Sequence, residues 1–411
     1  MTLIWGVRNL KKILMLGGAL SQVIAIKKAK EMGYYVITCD YLEDNPGHKL
    51  SDEYHNVSTI DKEAVFTLAK SLNIDGILCY AADSGAPTVA YVAEKLGLPS
   101  FPYKSVEILS NKDMLRFFLK ENNFMVPKAK GYTTVEEAKL DFHSFSLPLM
   151  VKPVDSSGSR GVSIIHSIEF LEEKVEEALI YSRAKRFIIE EYIEKNGYQI
   201  GGDCFFVKGE LVFSRLVNNH FRSNSLNEVV PVGESWPCTL SLSLQEKINS
   251  EIQRLVKLLN MKTGPLIFEV LIDRNENVYI IDLGVRNNGE LTQAIKQVDG
   301  VDLVEYTIKA ALNEDCSDLG NVEPKGYGAT YTILNEKEGL FKGFEIEPSL
   351  RTDNLMEVNL IHITPGLKIE KNKYLGTLFF EFSSMSEMLQ KIDHMNNYIK
   401  VIVEDETTII N

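Results

Sequence analysis

The chain has 411 residues, of which 57 are acidic and 44 are basic, so its formal net charge at pH 7 is −13. This surplus of negative charge repels nucleic acid and anionic membrane surfaces, and we expect neither as a partner. No apolar run approaches the roughly 20 residues of a membrane-spanning helix, and the first residues lack the long apolar core of a secretory signal. These features predict a globular cytoplasmic protein of two or three domains.

Residues 1–106 alternate between strand-like and helical segments. The strand-like runs KKILMLGG, YYVITCD and GILCYA are separated or followed by helical segments at 21–32, 62–71 and 87–96. Apolar strands joined by helices predict a parallel sheet that is covered on both faces. Gly17 and Gly18 after the first strand, with Asp40 after the second, leave a dinucleotide site open, although the Gly-x-Gly-x-x-Gly spacing is incomplete.

The sequence LPLMVKPVDSSGSRGVSII combines a strand that carries Lys152 with a loop of Ser and Gly. Small loop residues let backbone N–H groups approach phosphate oxygens, and Lys152 would add a point charge. The loop residues that we expect to meet phosphate are Ser156, Ser157, Gly158, Ser159 and Gly161. Taken alone, such a loop is more often an ordinary hairpin turn than a phosphate cover.

A second strand, in RFIIEEYIEKNGYQIGGD, ends at Glu190 and Glu191 and is followed by Tyr192 and Ile193. The end of a strand beside a short apolar pair offers backbone groups that can read the hydrogen-bonding edge of a purine ring. We therefore predict that Glu190, Glu191, Tyr192 and Ile193 contact the base of a nucleotide.

The segment 266–292 predicts a β-hairpin in which each strand carries a carboxylate, Glu269 in the first and Asp282 in the second. Folding brings the two acids together on one face, where two like charges require a cation. Oxygen ligands in this number suit magnesium held against a phosphate, and Arg286 with Asn288 could bind the other phosphate oxygens. The alternative is a surface hairpin whose acids face water.

The segment RLVNNHFRSNSLNEVVPVGESWP is polar and reads as a long loop, a kind of segment that is often functional. Its Arg222 could pair with a substrate carboxylate, and its His220 could hydrogen-bond to an amine or take its proton. The alternative, that both side chains are merely solvated, is left open.

Residues 319–411 contain the strand-like runs YGATYTIL, LIHITPG, TLFFEF and YIKVIVE and a helical segment at 384–394. This pattern predicts a small, mostly antiparallel domain with few candidate catalytic groups. We thus expect three domains: 1–106 with a parallel sheet, 107–318 with the nucleotide and metal site, and 319–411.

The order of these motifs resembles the ATP-grasp ligases. The resemblance covers roughly residues 11–318 and rests on five collinear elements: Ser110-Asn111-Lys112, Val151-Lys152-Pro153, the loop 156–161, the Glu190–Ile193 hinge, and Glu269 and Asp282 followed by Arg286. The family's second acidic segment usually reads Glu-x-Asn-x-Arg, so that Gly284 stands here in place of an asparagine. Gln199 stands where the family usually has a ribose-binding glutamate.

This resemblance implies a fold, a reaction and a set of ligands. The fold is a parallel-sheet domain, a two-lobed ATP-grasp domain and a small C-terminal β domain, with α/β and α+β character. The reaction activates a carboxylate as an acyl phosphate and couples it to an amine, releasing ADP and phosphate. Lys112, Lys152 and Gln199 would bind ATP, Glu269 and Asp282 would bind Mg²⁺ or Mn²⁺, and the loop 156–161 would close as a lid.

Within the same resemblance, Arg286 and Lys152 carry the catalytic charge, and Gly18 and Asp83 face the substrate cleft. The ligands are a small-molecule carboxylate and an amine, and the subunits could form a homodimer. Within the family, the chain resembles the carbamoyl-phosphate synthetase large chain and phosphoribosylglycinamide synthetase. It has a single ATP-grasp unit. Two alternatives remain: a purine-pathway ligase of the latter type, or a catalytically weak nucleotide-binding regulator.

Overall fold

The computed structural model describes residues 10–221, 230–361, 363–371 and 373–404. Within these ranges the strands form four sheets, which have four, four, eight and three strands. In this part of the chain, no helix combines the length and the apolar character that crossing a bilayer requires.

The N-terminal sheet is parallel, as predicted, with the strand order β3-β2-β1-β4. Its strands and the helices between and after them are β1 (Lys12–Leu16), α1 (Val23–Glu31), β2 (Tyr35–Cys39), β3 (Glu53–His55), α2 (Lys62–Leu72), β4 (Gly76–Leu78) and α3 (Ala86–Leu96). Apolar residues of α2 and α3 cover one face of this sheet. The other face packs against α1 and a later helix, α10 (Leu303–Ala311), which ties this sheet to the middle of the chain.

Two helices, α4 (Tyr103–Leu109) and α5 (Lys112–Glu121), lead into a four-stranded antiparallel sheet of the order β5-β8-β6-β7. Its elements are β5 (Ala129–Tyr132), α6 (Val135–Asp141), β6 (Leu149–Pro153), β7 (Ser163–Ile165), α7 (Leu171–Tyr181) and β8 (Phe187–Glu191). The apolar faces of α6 and α7 pack on one side of the sheet. The loop after Lys152 connects β6 to β7, and the predicted hinge lies at the end of β8.

The largest sheet is antiparallel and has the order β13-β12-β9-β10-β11-β14-β18-β16. Its strands are β9 (Gln199–Val207), β10 (Glu210–Phe221), β11 (Pro231–Trp236), β12 (Gly264–Ile272), β13 (Val278–Gly284), β14 (Tyr327–Leu334), β16 (Leu355–Leu360) and β18 (Tyr374–Phe382). One face packs against α8 (Leu242–Leu258), α4 and α5, and the other against α9 (Gly289–Asp299). The sheet runs across residue 318 without interruption, and the domain boundaries at 106 and 318 stay predictions.

The C-terminal segment adds a three-stranded sheet of the order β17-β15-β19. Its elements are β15 (Gly339–Ile346), α11 (Pro348–Asp353), β17 (Lys368–Ile369), α12 (Met385–Ile392) and β19 (Ile399–Glu404). The mixed α/β and α+β architecture and the small antiparallel sheet near the C-terminus agree with the prediction.

Two local predictions were wrong. The segment 215–237 was expected to be a loop, but residues up to Phe221 continue β10 and Pro231–Trp236 form β11. Its polar side chains misled the prediction because several of them are buried and hydrogen-bonded inside the sheet, as Asn218 is to Ser235. The run LIHITPG was expected to be a strand, whereas β16 ends at Leu360.

A buried ionic network joins the four-stranded sheet to the eight-stranded sheet. Glu190, at the end of β8, lies 2.9 Å from Arg116 Nε and 2.6 Å from Lys152 Nζ. The same Arg116, on α5, donates to the carbonyl oxygens of Ile280 and Ile281 in β13, at 3.2 and 2.7 Å. Burial alone would raise the pKa of Glu190, but the two cations outweigh it and lower the pKa to about 2.

Glu190→Gln should destabilise the protein by about 3–5 kcal/mol at pH 7, because it leaves two buried cations without a counter-charge. The ionised carboxylate stabilises the fold fully above its ordinary pKa of 4.5, and the benefit is lost as the pH falls toward 2. The difference between wild type and variant should therefore shrink below pH 4.5. Urea unfolding at pH 7, 5 and 3 measures it, with Glu176→Gln on the exposed face of α7 as a control that changes little. An equal difference at all three pH values would contradict this account.

Candidate active site

The two carboxylates of the predicted hairpin face each other across neighbouring strands. β12 and β13 pair antiparallel, and their register sets Glu269 directly opposite Asp282. Gln199 on β9 donates its amide to Glu269 Oε2 at 2.9 Å. Burial raises the pKa of Glu269 to about 7, and the charge of Asp282 adds to that rise. A cation between the two acids would favour the ionised form of Glu269.

Lys112 connects this hairpin to the Ser and Gly loop. Its ammonium group lies 2.9 Å from Asp282 Oδ2 and donates to the carbonyl oxygen of Ser156 at 3.1 Å. Lys112 is the first residue of α5, and only 9% of its surface is exposed. Burial opposes its charge, but Asp282 outweighs that effect and raises the pKa of Lys112. The lysine therefore stays charged at the point where loop and hairpin meet.

The loop 156–161 is anchored at its base and open at its tip. Asp155 accepts from Ser182 Oγ at 2.8 Å and from the backbone N–H of Ala184 at 3.0 Å. Gly158 has φ 64°, and a Cβ placed there would meet no atom within 4 Å. Gly161 has φ 73° and lies against Tyr181. The backbone at Gly158 therefore borders open space beside the cavity.

A cavity of about 440 Å³ lies between the four-stranded antiparallel sheet and the eight-stranded sheet. Ten of the residues predicted to bind ATP line it, together with Glu269 and Asp282: Lys112, Lys152, Ser156, Gly158, Ser159, Glu190, Glu191, Tyr192, Ile193 and Gln199. Ser157 lines a smaller neighbouring cavity of about 80 Å³, and Gly161 lies at the base of the loop.

Sequence reasoning missed the apolar wall of the large cavity, which includes Met150, Ile164, Leu271 and Ile281. Two of these residues had a detectable signal. Met150 precedes Lys152 by two positions and Leu271 follows Glu269 by two, and residues two apart on a strand share one face. The role of Arg116 had no comparable signal, because its partners are distant in sequence.

Arg286 lines the smaller cavity and pairs with Asp83, which follows β4 of the N-terminal sheet. Its Nε and Nη2 atoms lie 2.7 and 2.8 Å from the two carboxylate oxygens of Asp83. The same Asp83 explains the departure at Gly284, because a Cβ at that position would lie 2.7 Å from Asp83 Oδ1. The side chain of Ile267 is equally close, with its Cγ1 2.8 Å from the same point, so that any side chain at position 284 would collide with both residues.

The remaining predicted substrate residues lie in different surroundings. His220 is buried in β10, and its Nδ1 and Nε2 atoms bond to Asp393 at 2.6 Å and to Ser235 Oγ at 2.8 Å. Both ring nitrogens are therefore occupied, and Ser235 is fully buried, so this Ser–His–Asp alignment offers no accessible nucleophile. Gly18 is buried beneath the ring of His48. Arg222 lies outside the described residues.

Asn288 holds neighbouring groups in place. Its side chain donates to Glu234 Oε1 at 2.8 Å, and its backbone N–H donates to Asp203 at 3.0 Å. Asp203 also accepts from Thr292 Oγ1 at 2.6 Å. These bonds fix the start of α9 beside the cleft.

Comparison with known proteins identifies the domain that holds this cleft. Residues 145–294 match the ATP-grasp domain family. The formate-dependent phosphoribosylglycinamide formyltransferase of Prochlorococcus marinus subsp. pastoris is 26% identical over 353 residues, which are 82% of this chain and 86% of that protein.

Solved structures show the same fold. The L-amino acid ligase from Bacillus licheniformis superimposes with a TM-score of 0.80 at 20% identity, covering 96% of this chain and 99% of that one. Phosphoribosylglycinamide synthetase from Anaerococcus prevotii superimposes with a TM-score of 0.72 at 22% identity, covering 96% and 100%. The sequence match thus identifies an ATP-grasp domain at residues 145–294, and the solved structures share the fold of nearly the whole chain.

Proposed function

We propose that this chain is an ATP-dependent ligase that activates a carboxylate as an acyl phosphate and joins it to an amine. The observation that carries the proposal is the convergence of Lys112, Lys152, Glu269 and Asp282 on one cavity beneath the Ser and Gly loop. The named activities of its relatives, a formate-dependent formyltransferase and an amino-acid ligase, are of this kind.

In this proposal the cavity holds ATP. The base lies against Met150 and Leu271, with the hinge residues Glu191–Ile193 at its edge. The backbone N–H groups of Glu191 and Tyr192 donate to Lys128 and Pro148 carbonyl oxygens, so recognition of the base falls to the other backbone groups of the hinge. Lys112, Lys152 and the N–H groups of the loop 156–161 bind the phosphates. Glu190 positions Lys152 through their 2.6 Å contact.

The two hairpin acids fit a hard divalent cation that is shared with phosphate. Among the described residues, no group of three or more His, Cys, Asp or Glu side chains forms a complete metal site. A pair of carboxylates is what Mg²⁺ commonly uses when phosphate oxygens and water complete its octahedron, and Mn²⁺ accepts the same ligands. When bound, the ion would neutralise charge on the terminal phosphates.

The reaction proceeds in two steps. A carboxylate oxygen of the substrate attacks the terminal phosphorus of ATP, the bond to the bridging oxygen breaks, and ADP leaves. A neutral amine then attacks the acyl carbon, phosphate leaves with the bonding electrons, and the amine loses a proton. Asp83 and the Asn287 carbonyl occupy three of the five guanidinium N–H groups of Arg286. The other two remain for the transferring phosphoryl group.

A purine-pathway ligase of the phosphoribosylglycinamide synthetase type is the second candidate. Its support is the sequence match to a phosphoribosylglycinamide formyltransferase, which spans 82% of this chain. The third reading, a weakly active regulator, rested on Gly284 and Gln199. Each of these has a structural partner here, Asp83 and Glu269, which supports an active site. A cytoplasmic location and a homodimer stay part of the proposal.

In-line transfer of the terminal phosphoryl group predicts ADP as the nucleotide product. Chromatography of the spent nucleotide, after incubation with Mg²⁺ and a mixture of carboxylates and amines, distinguishes the possible products. A control without carboxylate measures background hydrolysis. AMP with pyrophosphate as the main products would indicate adenylation and refute the acyl-phosphate mechanism.

Glu269→Gln should lower turnover by at least about tenfold, because it removes a charged metal ligand. Steady-state ADP formation at several Mg²⁺ concentrations measures the effect, which should be partly relieved by high Mg²⁺. Glu276→Gln, in the exposed turn of the same hairpin, is the matched control and should leave turnover unchanged. Equal turnover of both variants and wild type would mean that the hairpin acids bind no metal.

The loop 156–161 should become protected when nucleotide binds, because its small residues bury little apolar surface until phosphate oxygens accept its N–H groups. Hydrogen–deuterium exchange of this segment should slow markedly on addition of a non-hydrolysable ATP analogue with Mg²⁺. Amides in the centre of β9 should not change and serve as the internal control. Exchange in the loop that is the same with and without nucleotide would show a static turn.

A further inference from the structure

A row of polar side chains crosses the eight-stranded sheet from the metal-binding hairpin toward its middle. The register pairs Gln199 with Asn219, Asn219 with Glu234, and Glu234 with Thr330. Paired residues on neighbouring strands point to the same face, which is also the face of Glu269, since Glu269 pairs with Gly201, two positions from Gln199. The row therefore continues the candidate active site beyond the nucleotide cavity.

Asn219 lies in this row without a partner for its side-chain oxygen. It is 3% exposed, and among the described residues its Oδ1 atom accepts no hydrogen bond. The amide lies above Gly201, where a Cβ would be only 3.0 Å from Oδ1, so it extends toward the strand that carries Glu269. Buried carbonyl oxygens are almost always satisfied, and this one indicates a missing donor.

Glu234, the neighbour of Asn219, is surrounded by negative charge. Its strongest charged neighbours are Asp203, Glu290 and Glu269, and burial together with these charges raises its pKa to about 8. Across the described ranges, no Lys, Arg or His side chain forms an ion pair with Glu234 or Glu290. Asp203 differs from them, because it accepts two hydrogen bonds from the start of α9.

The two unpaired carboxylates retain capacity to accept hydrogen bonds. Glu234 Oε1 accepts from Asn288, but its Oε2 atom has only a 3.5 Å contact with Thr330 Oγ1. Glu290 Oε1 is 3.4 Å from the Tyr374 hydroxyl. Together with Asn219, the region presents three acceptors that lack a strong donor. A ligand with several N–H donors and a positive charge matches them, whereas a phosphate would be repelled.

We propose that Glu234, Glu290 and Asn219 bind a protonated amino group on the carboxylate substrate, so that the substrate class is amino acids. This inference rests on the proposed function. The site belongs to the carboxylate substrate because a protonated amine has no lone pair with which to attack the acyl phosphate. Holding the amino group protonated also prevents the substrate from acylating itself. The attacking amine enters neutral and is a different molecule.

The test is an acyl-phosphate trap on the full-length protein. Hydroxylamine replaces the amine substrate, and the hydroxamate product identifies which carboxylate is activated with ATP and Mg²⁺. The panel contains α-amino acids and ω-amino acids of increasing length, each beside its analogue without the amino group. We expect hydroxamate from an amino acid at a rate at least about tenfold above its des-amino analogue, which lacks a charge-assisted hydrogen bond.

Glu234→Gln should raise KM for the preferred amino acid about tenfold to a hundredfold, with KM for ATP within about twofold of wild type. The des-amino analogue should react with the variant as it does with wild type, since it has no cation to lose. Glu210→Gln, an exposed glutamate at the start of β10, is the matched control and should change neither value. A merely structural role of Glu234 would slow both substrates equally.

Three outcomes separate a failure of the amino-group site from a failure of the proposed ligase function. Equal rates for amino acids and des-amino analogues would overturn the amino-group site and leave the ligase proposal standing. An equal effect of Glu234→Gln on both members of a pair would likewise overturn the site. No hydroxamate and no ADP from any carboxylate would reject the proposed function and the amino-group site with it.

Discussion

Two carboxylates that face each other across β12 and β13 determine much of the cleft. Glu269 and Asp282 occupy paired positions at the wall of the cavity, and their mutual repulsion favours a compensating positive charge or hydrogen-bond donor nearby. Lys112 compensates Asp282 directly, and Gln199 donates to Glu269. Because Lys112 also donates to the backbone of Ser156, the same lysine holds the Ser and Gly loop close to the two acids.

A second buried carboxylate performs a similar task between the sheets. Glu190 forms ion pairs with Arg116 and Lys152. Arg116 also donates a hydrogen bond to the backbone of β13. The lobe that carries the loop is thereby held at a fixed distance from the lobe that carries the hairpin. Lys152, although paired with Glu190, still lines the cavity in which we propose that ATP binds.

The N-terminal sheet contributes to the same site. Its Asp83 forms a two-pronged ion pair with Arg286, and a side chain at position 284 would collide with it. The helix α10 also packs on the N-terminal sheet. This sheet therefore shares a hydrophobic core with the middle of the chain. The glycine at position 284 is therefore an adjustment to a neighbouring carboxylate, and Arg286 is oriented from outside the ATP-grasp domain.

The sheet face beyond Glu269 and Asp282 has the opposite electrostatic character from the part of the cavity that Lys112 and Lys152 line. Lys112, Lys152 and the Ser and Gly loop line the cavity, whereas Glu234 on β11 and the neighbouring Glu290 form no ion pair with a Lys, Arg or His among the described residues. Such a gradient of charge favours ligands that are negative at one end and positive at the other. The gradient would therefore orient such a ligand along the cleft.

The sequence by itself determined the local elements and the identity of the charged groups. Alternation of strands and helices predicted the parallel sheet, and two apolar runs around a turn predicted the hairpin with its paired acids. These inferences succeeded because strand pairing through a short turn and βα periodicity depend on near neighbours in the chain.

Only the tertiary structure decided which charges meet. The pairs Arg116 with Glu190, Arg286 with Asp83 and Lys112 with Asp282 join residues 74, 203 and 170 positions apart. It also placed the polar run around Asn218 and His220 in buried strands, where sequence polarity suggested a loop. Burial and long-range pairing follow from how the sheets and helices pack together, and no local pattern in a single sequence contains that information.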